Sequence, residues 1–346
     1  PIILNIILII SLFISYLFKL DFVKNLSYGV TFAGIIQLFF LLVFTKKYYK
    51  PSLFLKTNIS SKVQFFLKKL LPSIFSSGVT QINILVGTII ASFEAGAVSY
   101  LYYADRIYQI NLAIAGIAVG TVSLPVLSKS LKLKKFGNVK NIQNKSIELC
   151  LLLSVPASLG LILASEEIIN ALFGYGSFTN SDVTMTAKAL KYFGYGIPAF
   201  ALIKVLSNFY FARDNTKTPF YLSLFSVVLN IAISLLLFKK IGFIIIPIAT
   251  SISTWLAVIL YFILLGKSKF LFFENLPLYN FFKIIFCTFI MSFVLYYGLS
   301  FFEDKLAYDN IYKSIYLVFM IGLVAMIYLI NCYLFGLLKF KNYRAF

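Results

Sequence analysis

Long apolar runs broken by short polar stretches recur along the whole of this 346-residue chain. They lie at 3–18, 28–45, 70–92, 96–128, 147–164, 184–211, 219–238, 242–265, 280–302 and 311–338. Most reach the ~17–25 residues that a membrane-spanning helix needs. Lipid offers the backbone no hydrogen-bond partner, so helices are the economical way to cross, and the alternating pattern of barrel strands is absent. The first run has neither a basic leader nor a small-residue cleavage site, so it does not read as a signal peptide. The pattern predicts an all-α polytopic membrane protein with about ten transmembrane helices.

Charge adds an orientation. The polar stretches at 46–69, 129–146, 212–218 and 266–279 and the tail after 338 hold 20 Lys and Arg, against 5 in the alternate stretches. Basic residues concentrate on the cytoplasmic side. Both ends of the chain are therefore expected there. Much of the net charge of +19 then faces anionic inner-leaflet lipids. Nucleic acid is not an expected partner, because the lysines are scattered among loops.

Composition removes whole classes of chemistry. The chain has no histidine, which excludes His-based catalytic triads and His-ligated metals. Cys150, Cys287 and Cys332 are far apart in sequence and sit within or beside apolar runs, as small buried hydrophobes do. No phosphate-binding loop or dinucleotide fingerprint appears. Catalytic residues, metal and cofactor are all expected to be absent. A membrane glycosyl- or acyltransferase would need a paired acid and base. The candidates Glu166-Glu167 and Glu303-Asp304 lie in loops without a pocket-forming motif.

The run at 96–128 carries two charges, Asp105 and Arg106, side by side. At ~1.5 Å per residue Arg106 lies about 15 Å down a helix, near the middle of a hydrocarbon layer ~30 Å thick. A charge there usually faces a cavity or a partner. Helical spacing puts Ser99, Tyr102, Tyr103, Arg106 and Gln109 on one stripe, continued by the small residues Ala113, Gly116 and Gly120. The upper half reads as a cavity wall and the lower half as a close helix contact. Pro125 is expected to end or bend this helix.

Two other runs look interrupted. Gly194-Tyr195-Gly196-Ile197-Pro198 should break 184–211, and Gly194, Gly196 and Pro198 are candidate hinge residues. Lys204 follows two turns later, either lining a site or snorkelling to the interface. Pro247 is expected to free a carbonyl near Thr250. The stretch 165–183 reads as an external loop, with Thr179 to Asp182 a capping box for the next helix.

Three motifs in order, Ser99–Gln109 with Gly116–Pro125, the LFGYGSFT loop at 172–179, and Lys204-Val-Leu followed by Phe211–Pro219, resemble the MurJ (MviN) family. These are lipid II flippases of the MOP exporter superfamily. The resemblance implies fourteen helices in two six-helix lobes plus a C-terminal pair. It also implies alternating-access transfer of an undecaprenyl-diphosphate-linked peptidoglycan precursor from the inner to the outer leaflet. The chain then reads as the C-terminal part: 1–46 as two helices of the N-lobe, 47–62 as a cytoplasmic basic linker, 63–266 as a six-helix C-lobe, and 278–338 as the added pair. As a fragment it is not expected to flip lipid.

By the same resemblance Ser99, Tyr102, Asp105, Arg106, Gln109 and Lys204 are substrate-binding candidates, with Arg106 gripping the diphosphate. Asn230 and Thr250 match a sodium site of some members. Gly87 and Ser234 stand where those members carry aspartates, so a hard cation lacks its acidic ligands here. Membrane lipids and cell-wall synthesis proteins are the implied partners. Another MOP-type exporter, for polysaccharide-lipid or drugs, is the alternative transporter reading.

Overall fold

The computed structural model describes residues 2–46, 60–271 and 278–338. Most of the expected linker at 47–62 and the tail after 338 lie outside the described residues. Those described are helical throughout, without strands. The chain divides into two compact units, Pro1–Lys69 and Leu70–Phe346.

The first unit holds a hairpin of α1 (Ile2–Phe18) and α2 (Phe22–Thr45). Asp21 caps α2 by accepting the backbone N–H groups of Val23 and Lys24 at 2.9 and 3.2 Å. Across the hairpin, the Asn25 amide donates to the Ser11 carbonyl at 2.9 Å and the Ser15 hydroxyl at 2.7 Å. Gly29 lets the Ser11 side chain approach so closely that a Cβ would overlap its hydroxyl. Such small and polar contacts are what holds helices together where lipid supplies no hydrophobic drive.

α3 (Ser61–Ala91) crosses the division. The second unit continues with α4 (Ala97–Leu112), a π-helical turn (Ala113–Ile117) and α5 (Ala118–Lys132), which together form one span. After them come α6 (Phe136–Leu163), α7 (Ser165–Phe173), α8 (Asn180–Gly194), α9 (Ile197–Phe211) and α10 (Lys217–Ile241). The unit ends with α11 (Ile245–Lys267), α12 (Leu278–Phe301), the short α13 (Glu303–Leu306) and α14 (Lys313–Leu334). Each apolar run predicted from sequence falls on one of these helices or helical stretches. Among the described residues six stretches are long and apolar enough to cross a membrane, or seven if the bent pair α8–α9 is one span. One of the six, Lys217–Lys267, is the hairpin α10–α11, which reverses at Gly242. Gly242 has φ +75°, and the Glu94 carboxylate caps the turn by accepting the Phe243 N–H at 2.7 Å.

Three local expectations change. The helix runs through Pro125 to Lys132, and its departure from α geometry lies earlier, in the π turn. Pro247 does not break α11, because it sits in the first turn, where no backbone bond to an earlier carbonyl is lost. The stretch expected as a loop contains α7, which opens on Glu166 and Glu167 and buries Ile168, Ile169 and Ala171. Acidic residues suit the positive end of the helix dipole. Even so, Glu167 Oε2 is buried without a partner, and burial pushes this carboxyl above its ordinary range.

Candidate functional site

α4 carries the candidate stripe. Ser99, Tyr102, Arg106 and Gln109 are exposed on one face, and Asp105 is half-buried beside them. Arg106 and Asp105 do not pair. The Arg106 guanidinium donates to the Tyr102 hydroxyl at 2.8 Å and lies 4.6 Å from that ring's centroid. Asp105 accepts from the Gln109 amide. Each charge is thus held by a neighbour one helical turn away. The guanidinium keeps most of its five donors for a ligand. Such a fork matches phosphate oxygens two at a time.

The stripe changes character at the π turn. Ala113 is still exposed, whereas Gly116 and Gly120 are buried against α9. A Cβ on Gly116 would come 3.0 Å from the Ala201 Cα and 3.4 Å from the Lys204 Cγ. The Asn208 amide donates to the Gly120 carbonyl at 2.7 Å. The glycines therefore make the close helix contact expected of them. Lys204 is brought against Gly116 with its side chain exposed, but none of the hydrogen bonds of Asp105 or Arg106 reaches it among the described residues.

Above that contact Tyr108 turns inward from α4. Its ring packs on Phe193 at 5.3 Å and Phe200 at 5.2 Å, one on each side of the α8–α9 break. Its hydroxyl is buried without a partner. Sequence reading passed over Tyr108 because a buried aromatic has no signature apart from its neighbours.

The break bends by 42°. Gly194 and Gly196 flank it, and Pro198 lies in the first turn of α9. Side chains from two other helices satisfy the carbonyls that a broken helix leaves free. Ser158 on α6 donates to Gly194 at 2.7 Å. On α11, Ser251 donates to Tyr192 at 2.7 Å, and the Trp255 indole to Tyr195 at 2.9 Å. Neither glycine has room for a side chain: a Cβ would meet Ile162 at 3.0 Å on Gly194 and the Ser251 hydroxyl at 2.8 Å on Gly196.

Asn230 and Thr250 meet across the α10–α11 hairpin. The Asn230 amide donates to the Thr250 hydroxyl at 3.2 Å and to the Asn83 carbonyl oxygen on α3 at 2.9 Å. Ser234 donates to the Asn230 side chain at 3.3 Å. Asn83 is a member that sequence reading missed. The group is neutral, and its oxygens are engaged with one another. Among the described residues no cluster of three or more His, Cys, Asp or Glu could hold a metal.

The family model for the lipid II flippase MurJ matches residues 1–338. The probable lipid II flippase MurJ of Rhizobium tropici is 38% identical over 77% of this chain and 51% of its own length. That of Haemophilus influenzae is 30% identical over 91% of the chain and 63% of its own length. The solved lipid II flippase MurJ in an inward closed conformation aligns with a TM-score of 0.77 at 29% identity, covering 96% of this chain and 66% of that one. An outward-facing multidrug resistance MATE transporter of the MOP superfamily aligns with a TM-score of 0.52 at 14% identity, over 75% of this chain and 61% of its own, which shows a shared fold alone. The chain spans about half the length of the curated relatives it matches. With three ordered motifs, an all-helical fold and a match over nearly its whole length, this chain belongs to the MurJ family.

Proposed function

We propose that this chain provides the C-lobe and the added helix pair of a lipid II flippase. In this reading an undecaprenyl-diphosphate-linked peptidoglycan precursor moves from the inner to the outer leaflet of the cytoplasmic membrane. The observation that carries it is the exposed polar face of α4, Ser99, Tyr102, Arg106 and Gln109, in a run, 96–128, whose only charges are Asp105 and Arg106. A flippase needs such a face, because a diphosphate crossing hydrocarbon must exchange its water for protein donors. Arg106 supplies paired donors to the diphosphate. Asp105 keeps the empty site from holding anions too tightly, and Lys204 adds a second cation beside Gly116. The two helices of 1–46 belong to the N-lobe, 63–266 forms the C-lobe, and 278–338 is the added pair. Both ends of the chain face the cytoplasm, where cell-wall synthesis proteins are candidate partners. The bend at Gly194, Gly196 and Pro198 is where the lobe changes shape during alternating access.

The test is to express the coding sequence that carries this chain in cells depleted of their own lipid II flippase. Restored growth with restored lipid II translocation is expected. Failure to restore either, with the protein present in the membrane, would overturn the reading. Drug efflux in place of lipid transfer would favour the exporter alternative.

A further inference from the structure

Lys313 is the first residue of α14, where the helix dipole disfavours a cation, yet it is 1% exposed. Burying an ammonium is costly unless its protons are all satisfied. Here its three donors meet three acceptors: Asn170 Oδ1 at 3.0 Å, the Gly174 carbonyl at 2.7 Å and the Tyr308 carbonyl at 2.7 Å. The rings of Tyr175 and Tyr308 cover it at 4.3 and 4.7 Å. Asn170 is itself fixed by donating to the Leu306 carbonyl at 2.8 Å. The next residue repeats the attachment, as Ser314 donates to the Ala171 carbonyl at 2.7 Å. Gly174 is required, since a Cβ there would lie 2.6 Å from the Asn170 carbonyl oxygen. The Gly174-Tyr175 step of the loop motif thus builds half of a cage for one primary ammonium.

The cage extends to the candidate site. Tyr308 donates to the Phe178 carbonyl at 2.6 Å. The rings of Phe173 and Phe178 pack on Tyr103 of α4 at 4.8 and 5.4 Å. Beside them, Tyr100 of α4 donates at 2.9 Å to Asp182, the residue that completes the capping box of α8.

We propose that Lys313 is a positioning residue that fastens α14 to the α7–α8 corner and, through Phe173, Phe178 and Tyr103, holds the first turns of α4. α14, α7 and the start of α4 then move as one body, so the added pair is coupled to the helix that carries Arg106. The inference does not depend on what the protein transports.

Hydrogen–deuterium exchange on the full chain in detergent or nanodiscs tests it without a transport assay. Lys313→Met removes the ammonium and keeps most of the volume. Exchange of residues 165–178 and 97–104 should then quicken about tenfold, as expected for an opening that no longer breaks a charged hydrogen bond. Residues 118–132 should not change. Faster exchange confined to 313–317 would show that Lys313 only anchors its own helix end, and the proposal would fail. If Lys313→Met exchanges everywhere because it does not fold, Tyr175→Leu decides, since it keeps all three Lys313 hydrogen bonds and removes one ring together with the Tyr175–Ser314 hydroxyl contact at 2.7 Å. It should produce a smaller increase at the same two segments, and no increase there would overturn the proposal.

Discussion

The Ser251 hydroxyl occupies the space where a side chain on Gly196 would go, and from there it bonds the Tyr192 carbonyl at 2.7 Å. Packing and backbone satisfaction at the bend are therefore one interaction. Ser251→Ala should destabilise the protein by about 1 kcal/mol, the net worth of a part-buried hydrogen bond. Gly196→Ala should also destabilise it, but less in the Ser251→Ala background, where the tightest contact of the new Cβ is gone and those to Phe200 at 3.1 Å and the Phe193 carbonyl at 3.3 Å remain. Thermal unfolding of the two single variants and the double one gives the coupling. Additive losses would mean that the two residues do not share this space.

On the proposed function, Arg106→Lys made in a full-length protein should impair lipid transfer by about tenfold or more while leaving membrane insertion intact. A lysine keeps the charge but loses the planar fork that binds two phosphate oxygens at once. Complementation and membrane abundance, measured together, check this. Wild-type growth with the lysine variant would remove Arg106 from the substrate site.

Glu167 gives a pH prediction with a definite sign. Its carboxyl is raised chiefly by burial and further by Glu166, so the folded protein favours the protonated form. The group's contribution is most favourable below the ordinary carboxylate range and is lost as pH rises through the raised folded value. Glu167→Gln should therefore raise the unfolding temperature at pH 7, and the gain should disappear near pH 4. A gain of equal size at both pH values would trace it to something other than ionisation.

The Asn83–Asn230–Thr250 group should be indifferent to sodium. Its side chains are neutral and bonded to one another, whereas a hard cation prefers charged oxygen ligands. Unfolding temperatures in sodium and potassium chloride of equal ionic strength should coincide. A rise specific to sodium would show that the amides open to make a site.

What the sequence reveals here depends on the range of the interaction. Apolar runs are local, and each one becomes helical. The bend at Gly194 to Pro198 is legible because glycine and proline act on their own backbone. The Thr179–Asp182 capping box is legible for the same reason, spanning one helical turn. What escapes is made between distant elements. Asn83 bonds Asn230 from 147 residues away, and Lys313 reaches Asn170 across 143. Nothing within either local stretch announces its partner. Pro247 misleads because proline breaks a helix only beyond its first turn, and helix starts are the least sharply written boundaries. The π turn escapes for a related reason: Ala113 to Ile117 are ordinary helix residues, and their wider geometry coincides with the close approach of α9.

Tyr108 gives that approach a mechanical meaning. One ring on α4 lies between Phe193 on the last turn of α8 and Phe200 on the first of α9. It sits two residues from Arg106 on the same rigid helix. In the proposed function, a rotation of α4 that turns Arg106 toward or away from the diphosphate would swing this ring against both sides of the bend. The ring would then act as a wedge, tying the angle between α8 and α9 to the filling of the proposed anion site.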